Sequence, residues 1–229
     1  DFDVVTTEIA RMERSIQQFL DYTWPPEPVF ASVNLRQVVD NALSLLVNKA
    51  ERQGVQTETS VEPAVMIMAD RRQMEQVFAN LALNALQAMP EGGLLSVVAS
   101  TERVYVNLAL NALPATADWG RLSVPPTEID ATAAEGPGGA GAPPDPAMAA
   151  VGVAVADTGR GIPEGVIDRV FEPFTLEGVE GIGLGLALVH QIVARHGGQV
   201  SAQNRPEGGA TFTVTLPLAA DGHGNGGRA

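Results

Sequence analysis

An α/β fold is predicted, because segments with an apolar period of three to four residues alternate with short strand-like runs along most of the 229 residues. Apolar residues make up 45% of the chain, enough to bury a core. The run Val151 to Ala156 is nearly all small and apolar, as in a strand covered by other elements.

The elements follow in order. Residues 1–21 read as one helix, with Val5, Ile9, Met12, Ile16, Phe19 and Leu20 on one stripe. Trp24-Pro25-Pro26 ends it, since proline lacks an N–H and restrains the residue before it. Residues 25–33 read as a linker. A second helix starts after Asn34, a fitting N-cap, carries Leu35, Val38, Val39, Ala42, Leu45 and Leu46 on one face, and stops at Gly54. Strands are expected over 55–61 and 64–68, joined at Glu62-Pro63. A third helix spans about 70–89 and breaks at Pro90-Glu91-Gly92-Gly93, and a strand follows over 94–100. Residues 102–149 are rich in Ala, Gly and Pro and read as an insert, its second half a loop with no core of its own. After the 151–156 strand come a short helix over 164–170, a helix over 184–195, and strands over 199–203 and 211–216. Residues 219–229 read as a disordered tail.

Charge and composition exclude several classes. A formal charge of −13 argues against nucleic-acid binding, which needs clustered Lys and Arg. No apolar run approaches the roughly 20 residues of a membrane-spanning helix. The chain has no cysteine, which removes disulfide and thiolate chemistry and fits a reducing, cytoplasmic setting, with a parent that could be anchored in a membrane. Three scattered histidines and no thiol make a poor zinc site.

Three elements carry candidate chemistry. Asn80, Asn84 and Gln87 are four and three residues apart and share one face of the third helix. Asparagine oxygen can ligate a hard cation and its NH₂ can donate to phosphate, although a solvated polar face is the plain alternative. Asp157, directly after a strand, opens the turn Asp157-Thr158-Gly159-Arg160-Gly161-Ile162-Pro163, where a carboxylate can accept from an exocyclic amine and glycines admit a flat ring. Gly181-Ile182-Gly183-Leu184-Gly185 leads into a helix whose open N–H groups attract phosphate. It does not follow a first βα strand, so a dinucleotide-binding reading is disfavoured.

Taken in order, Asn80-Leu-Ala-Leu-Asn84-Ala, Asp157-x-Gly159-x-Gly161, Phe171-Glu172-Pro173-Phe174, Gly181-x-Gly183-x-Gly185 and Gly208-Gly209-Ala210-Thr211-Phe212 resemble the nucleotide-binding boxes of sensor histidine kinases. The stretch NLALNALQAMPEGG is especially similar to the nitrogen-regulator type. The resemblance covers about residues 34–217 and implies the Bergerat ATP-binding fold, a two-layer sandwich of a mixed sheet and helices with ATP under a lid. It implies Asn84 as the Mg²⁺ ligand, Asn80 on the phosphates, and Asn80 and Asn84 as the catalytic pair. Asp157 would read the adenine amine, with Gly159, Gly161 and Ile162 beside the ring. Gly181, Gly183, Leu184 and Gly185 would line the phosphates, and Gln87 and Thr211 would complete the ATP site. Phe171 and Phe174 would anchor the lid.

By the same resemblance, residues 1–24 are the second helix of a dimerisation hairpin and residues 34–218 the catalytic domain. ATP and Mg²⁺ are the implied cofactors; a response-regulator receiver domain and a second copy of the full-length protein are the implied partners. The phosphate-accepting histidine would lie on a preceding helix, because His190, His196 and His223 lack the acceptor context, so the chain alone is expected not to autophosphorylate. Two departures stand out. Between Glu172 and Leu186 there is no Lys or Arg, where family lids often carry one, and Gln87 stands where many relatives carry a cation. Arg160 or Arg169 are the substitutes at hand. The alternatives are a degenerate nucleotide- or partner-binding module, or an ATPase of the gyrase and heat-shock-chaperone kind, which would need a glutamate base where Asn80 stands.

Overall fold

The N-terminal ends of the two longer early helices are fixed by side chains, at Asn34 as expected and at Asp70. Asn34 accepts a hydrogen bond from the Gln37 N–H at 3.0 Å, and its own amide donates to the Pro63 carbonyl at 2.6 Å. Asp70 accepts from the Gln73 N–H at 3.1 Å. Each cap satisfies an amide that the first helical turn leaves open. The computed structural model describes residues 19–20, 22–100, 150–175 and 183–219, all of which belong to one compact unit. The expected helix over 1–21, except its last turn, the 102–149 insert and the tail beyond Ala219 lie outside the described residues.

In chain order the elements are β1 (Ala31–Asn34), α1 (Leu35–Ser44), α2 (Val47–Gln53), β2 (Val55–Ser60), β3 (Met66–Ala69), α3 (Arg71–Ala88), β4 (Gly93–Ser100) and β5 (Ala150–Asp157). A 3₁₀ turn (Ile167–Arg169), α4 (Gly185–Arg195), β6 (Gln199–Asn204) and β7 (Ala210–Pro217) complete them. Five strands form one sheet in the order β2-β4-β5-β7-β6, in which only β2 and β4 run parallel. β1 and β3 form a separate antiparallel pair.

The helices lie on one face of the five-stranded sheet. Leu35, Val38 and Val39 of α1, Met74, Phe78 and Leu81 of α3, and Leu188 and Ile192 of α4 are buried in one cluster with Leu95, Val97, Val153, Val155, Phe212 and Val214. In β5 the burial alternates: Val151, Val153, Val155 and Asp157 are covered, while Gly152, Ala154 and Ala156 are half-buried on the other face. The small-apolar run expected to be covered on both sides is therefore covered fully on one, the consequence of a two-layer rather than three-layer packing.

Two elements differ from the sequence reading. The helix expected from Asn34 to Gly54 is two helices, because the chain turns at Leu45 and Leu46. The Ser44 hydroxyl donates to the Asn41 carbonyl, the Leu46 N–H returns to the Leu43 carbonyl, and Leu45 is left 74% exposed. The helix expected over 164–170 is a single 3₁₀ turn, and β2 and β3, consecutive in the chain, belong to different sheets.

The segment before β1, read as a linker, is fastened to the ends of two helices. Gln73 Nε2 donates to the Pro26 carbonyl at 3.0 Å, Arg195 Nη1 donates to the Pro25 and Pro26 carbonyls, and the Val29 N–H donates to Asp70 Oδ2 at 2.9 Å. The Asp70 N–H donates to Nε2 of buried His196 at 3.0 Å, so Nδ1 carries the proton, 2.8 Å from the Ile192 carbonyl. The Phe30 ring rests against the His196 ring at 5.0 Å.

Burial raises the Asp70 pKa, but the amides of Val29, Gln73 and Arg72, with a contribution from His196, bring it below the ordinary carboxylate value. A lowered folded-state pKa stabilises above the unfolded value and is lost as pH falls through the folded one. Asp70→Ala is expected to cost about 1–2 kcal/mol in urea unfolding at neutral pH. The gap between wild type and variant should close in strongly acidic buffer.

Candidate functional site

The site is organised along α3. One face of this helix is buried against the sheet, and the row Asn80, Asn84, Ala88 rises along another at intervals of four residues, about 12 Å from end to end. At one end, Asn80 Nδ2 donates to the carbonyl of Gly185, the first residue of α4, at 3.5 Å. At the other, the Ala88 carbonyl accepts from the Arg160 N–H in the turn after β5 at 3.3 Å. Asn84 sits midway between these two attachments. It is half-buried, and its side chain forms no hydrogen bond among the described residues.

Asp157 ends β5 with 1% exposure. Its Oδ1 accepts from the Gly159 N–H at 2.8 Å and from the Ala210 N–H at 3.3 Å. Both bonds end on one oxygen, and among the described residues none reaches Oδ2, which leaves Oδ2 to an outside donor. Burial raises the Asp157 pKa, opposed by those two amides and by the charge of Arg205. In the free protein this group therefore contributes stability below its unfolded pKa that is lost as pH rises through the folded pKa.

Glycine is required by close approach at two points of the turn. A Cβ on Gly159 would lie 2.5 Å from the Ala88 carbonyl oxygen. Gly161 has φ 71°, a left-handed conformation that side chains disfavour, and a Cβ there would lie 2.9 Å from Asn204 Oδ1. Ile162 follows, buried, and both of its main-chain polar groups bond to the Asn204 amide.

At the opposite end of the row, α4 begins at Gly185 after buried Leu184, which caps it with no side-chain hydrogen bond. The first-turn N–H groups thus lack a side-chain partner and present the positive end of the helix dipole. The Gly183 carbonyl accepts from the Phe174 N–H at 3.1 Å, joining the two ends of the stretch between them. Gly181 lies outside the described residues. Gln87 is half-buried one turn after Asn84, and Thr211 is buried in β7 opposite Ala156, one residue before Asp157.

Of the two phenylalanines expected to hold the lid, Phe171 packs its ring on Phe212 at 6.3 Å and beside His190 at 5.9 Å. Phe174 is instead 52% exposed. Arg169, a candidate substitute cation, has Nε 3.6 Å from Glu172 Oε2 on the surface, and Arg160 is exposed.

The sequence reading missed Asn204 and Arg205, which hold the Asp157 turn from the β6–β7 hairpin. Arg205 Nη1 donates to the Asp157 carbonyl at 3.1 Å. It also missed Thr158, whose hydroxyl accepts from the Leu94 N–H at 3.0 Å. The signal present in the sequence was an asparagine at a strand end before a glycine turn, a pattern too common to single out.

Residues 69–220, more than half of the chain, match the family described as histidine kinase-, DNA gyrase B- and HSP90-like ATPase, and the chain belongs to it. It is 28% identical over 218 residues to sporulation kinase A of Bacillus subtilis, covering 94% of this chain and 28% of that protein. The chain spans about a third of the length of the curated relatives it matches. In fold it is similar to full-length ShkA solved in complex with AMPPNP, with TM-score 0.66, 23% identity, and 96% of this chain and 38% of that one covered. It is also similar to histidine kinase ThkA solved with the response regulator TrrA, with TM-score 0.65, 20% identity, and 95% and 50% covered.

Gly159→Ala is expected to cost about 1–3 kcal/mol in chemical denaturation, since the new methyl must displace the Ala88 carbonyl or the turn. Hydrogen exchange should report faster exchange of the Arg160 amide in the variant; wild-type exchange there would contradict the attachment.

Proposed function

We propose that this chain is the ATP-binding catalytic part of a two-component sensor histidine kinase. It would move the γ-phosphoryl group of ATP to a histidine on a helix outside this chain, from which a response-regulator receiver domain takes it. The observation that carries the reading is Asn84, unpartnered among the described residues and midway between the Asp157 turn and the start of α4. The AMPPNP bound to ShkA and the regulator bound to ThkA support ATP and a receiver domain as partners. Among the described residues no helix is long and apolar enough to cross a membrane; the proposed reaction places the catalytic part in the cytoplasm, where ATP is available.

Each residue then has a task. Asp157 Oδ2 accepts a hydrogen bond from the 6-amino group of adenine, while Gly159, Gly161 and Ile162 border the ring. Asn80 Nδ2 and the first-turn N–H groups of α4 donate to phosphate oxygens; Gly183, Leu184 and Gly185 shape that approach. Gln87 and Thr211 complete the two ends of the nucleotide site. Asn84 would hold Mg²⁺ through its amide oxygen, a hard neutral donor. The fit rests on the Asn84 side chain, which has no hydrogen-bond partner among the described residues, and on Mg²⁺ commonly taking few protein ligands beside phosphates and water. When bound, the metal neutralises part of the phosphate charge. The protein's part in transfer is positioning and charge stabilisation, while the bond from the γ-phosphorus to ADP oxygen breaks and a bond to imidazole nitrogen forms.

His196 does not suit the acceptor role, since both its ring nitrogens are occupied in the core. Asn80 is a poor general base, so hydrolysis by the gyrase-type route should be slow. A second reading, a nucleotide-binding module without transfer, is favoured by the lack of Lys or Arg between Glu172 and Leu186 in the sequence and by the ion pair of Arg169, the preceding cation, with Glu172.

Calorimetry with a non-hydrolysable ATP analogue tests the nucleotide site. Asn84→Ala should keep the fold and lose the Mg²⁺-dependent gain in affinity; a gain equal to wild type would show the metal assignment to be wrong. Asp157→Asn retains an Oδ1 acceptor but turns the outward atom into a donor. It should raise the melting temperature of the free domain and weaken adenine nucleotides at least about 10-fold. With the preceding helix restored, radiolabelled ATP should yield phosphohistidine, whereas binding without labelling favours the second reading.

A further inference from the structure

We infer that Asn204 is a positioning residue for purine choice, acting with Arg205 to hold the Asp157 turn so that the carboxylate offers a single acceptor at a fixed place. The inference rests on Asp157 being the group that meets the purine.

The Asn204 side chain behaves as an added rung of main chain. Its Oδ1 accepts from the Ile162 N–H at 2.7 Å and its Nδ2 donates to the Ile162 carbonyl at 2.7 Å. No shorter side chain offers a donor and an acceptor at that spacing, and an acid offers only acceptors. The neighbouring residue holds the other end of the turn, where Arg205 Nη1 donates to the Asp157 carbonyl at 3.1 Å. The Arg205 N–H is itself held by the Gly209 carbonyl at 2.9 Å. Gly209 lies so close to the Asp157 carbonyl that no Cβ would fit, and the next amide, that of Ala210, bonds Oδ1. One hairpin therefore grips residue 157 and residue 162, and the turn between them is otherwise tied by the Arg160 bond to Ala88 and by the Thr158 hydroxyl, which accepts from the Leu94 N–H.

Fixing the ends fixes the carboxylate. Oδ1 keeps its second hydrogen bond only while the Gly159 N–H points at it, and that amide lies inside the gripped stretch. With Oδ1 held, Oδ2 meets one donor, the 6-amino group of adenine, and faces the 6-oxo group of guanine as acceptor against acceptor. With the Ile162 end released, Gly159 can leave Oδ1 and the carboxylate can rotate. A mobile carboxylate can accept from the N1–H and 2-amino donors of guanine, so discrimination falls. Asn204 touches neither base nor phosphate in this arrangement; it acts through the turn.

The test measures affinity of the full chain, with Mg²⁺, for the β,γ-imido triphosphates of adenosine and guanosine. Asn204→Ala should weaken the adenosine compound about 10-fold or more, leave the guanosine compound within about 2-fold, and so narrow the preference. Asn204→Asp, which keeps the acceptor for the Ile162 N–H but sets an oxygen against the Ile162 carbonyl, should fall between wild type and alanine. Should Asn204→Ala not fold, the Asn204→Asp preference decides the matter alone. Equal weakening of both nucleotides, or no change in either, would overturn the positioning role while leaving the proposed function standing. Failure of the wild-type chain to prefer adenosine over guanosine would instead overturn the reading of Asp157 and this inference with it.

Discussion

One oxygen of a buried carboxylate is tied down, and the rest of the candidate site depends on that constraint. Burying an ionised carboxylate is unfavourable unless hydrogen bonds offset the lost hydration. Two backbone amides do so at Oδ1 of Asp157, and both come from elements that must be placed first: the glycine turn and the start of β7. The turn is fixed to α3 at Ala88, and α3 is fixed to α4 at Asn80. The chain of attachments thus runs from the sheet, through the carboxylate and its turn, along the amide row, to the opening of the last helix. The carboxylate is only partly compensated, and under the proposed function its second oxygen would meet the donor of the ligand.

Much of the fold was legible because the core pattern and the stop signals agree. α3 has an N-cap at Asp70, an unbroken buried stripe from Met74 to Leu86 and a proline at its end, and its bounds differ from expectation by about one residue. The order of β4, β5, α4, β6 and β7 was readable for the same reason. Pairing was not. Nothing local tells β2 to join β4 in parallel, or β3 to leave for β1, because register and partner choice are settled by which faces the helices cover. The break at Leu45 was hidden because leucines at 45 and 46 continue the apolar stripe, while the hydroxyl of Ser44 that competes for the helix carbonyl carries no periodicity.

The residues proposed to face a nucleotide could be named from the sequence, whereas their supports could not. Asn80, Asn84 and Asp157 are polar residues at positions where a core would prefer otherwise, so they stand out. Asn204 and Arg205 lie in a polar hairpin where such residues are ordinary. Electrostatics adds a second difficulty. A chain with formal charge −13 repels a triphosphate at long range, so attraction must come from dipoles aimed at short range and from a cation brought with the ligand. Backbone dipoles leave no compositional trace, whereas a lysine-rich loop would have.

The fastening of residues 25–30 has a mechanical consequence. Their contacts fall on Asp70 and Gln73 at the start of α3 and on Arg195 and His196 at the end of α4, and the Asp70 N–H bond to His196 rivets those two helix ends together. Asn80 lies farther along α3, and Gly185 begins α4 at its far end. Pinned together at Asp70 and His196 and again where Asn80 meets Gly185, the two helices keep a fixed spacing, so the strap, α3 and α4 form one rigid body.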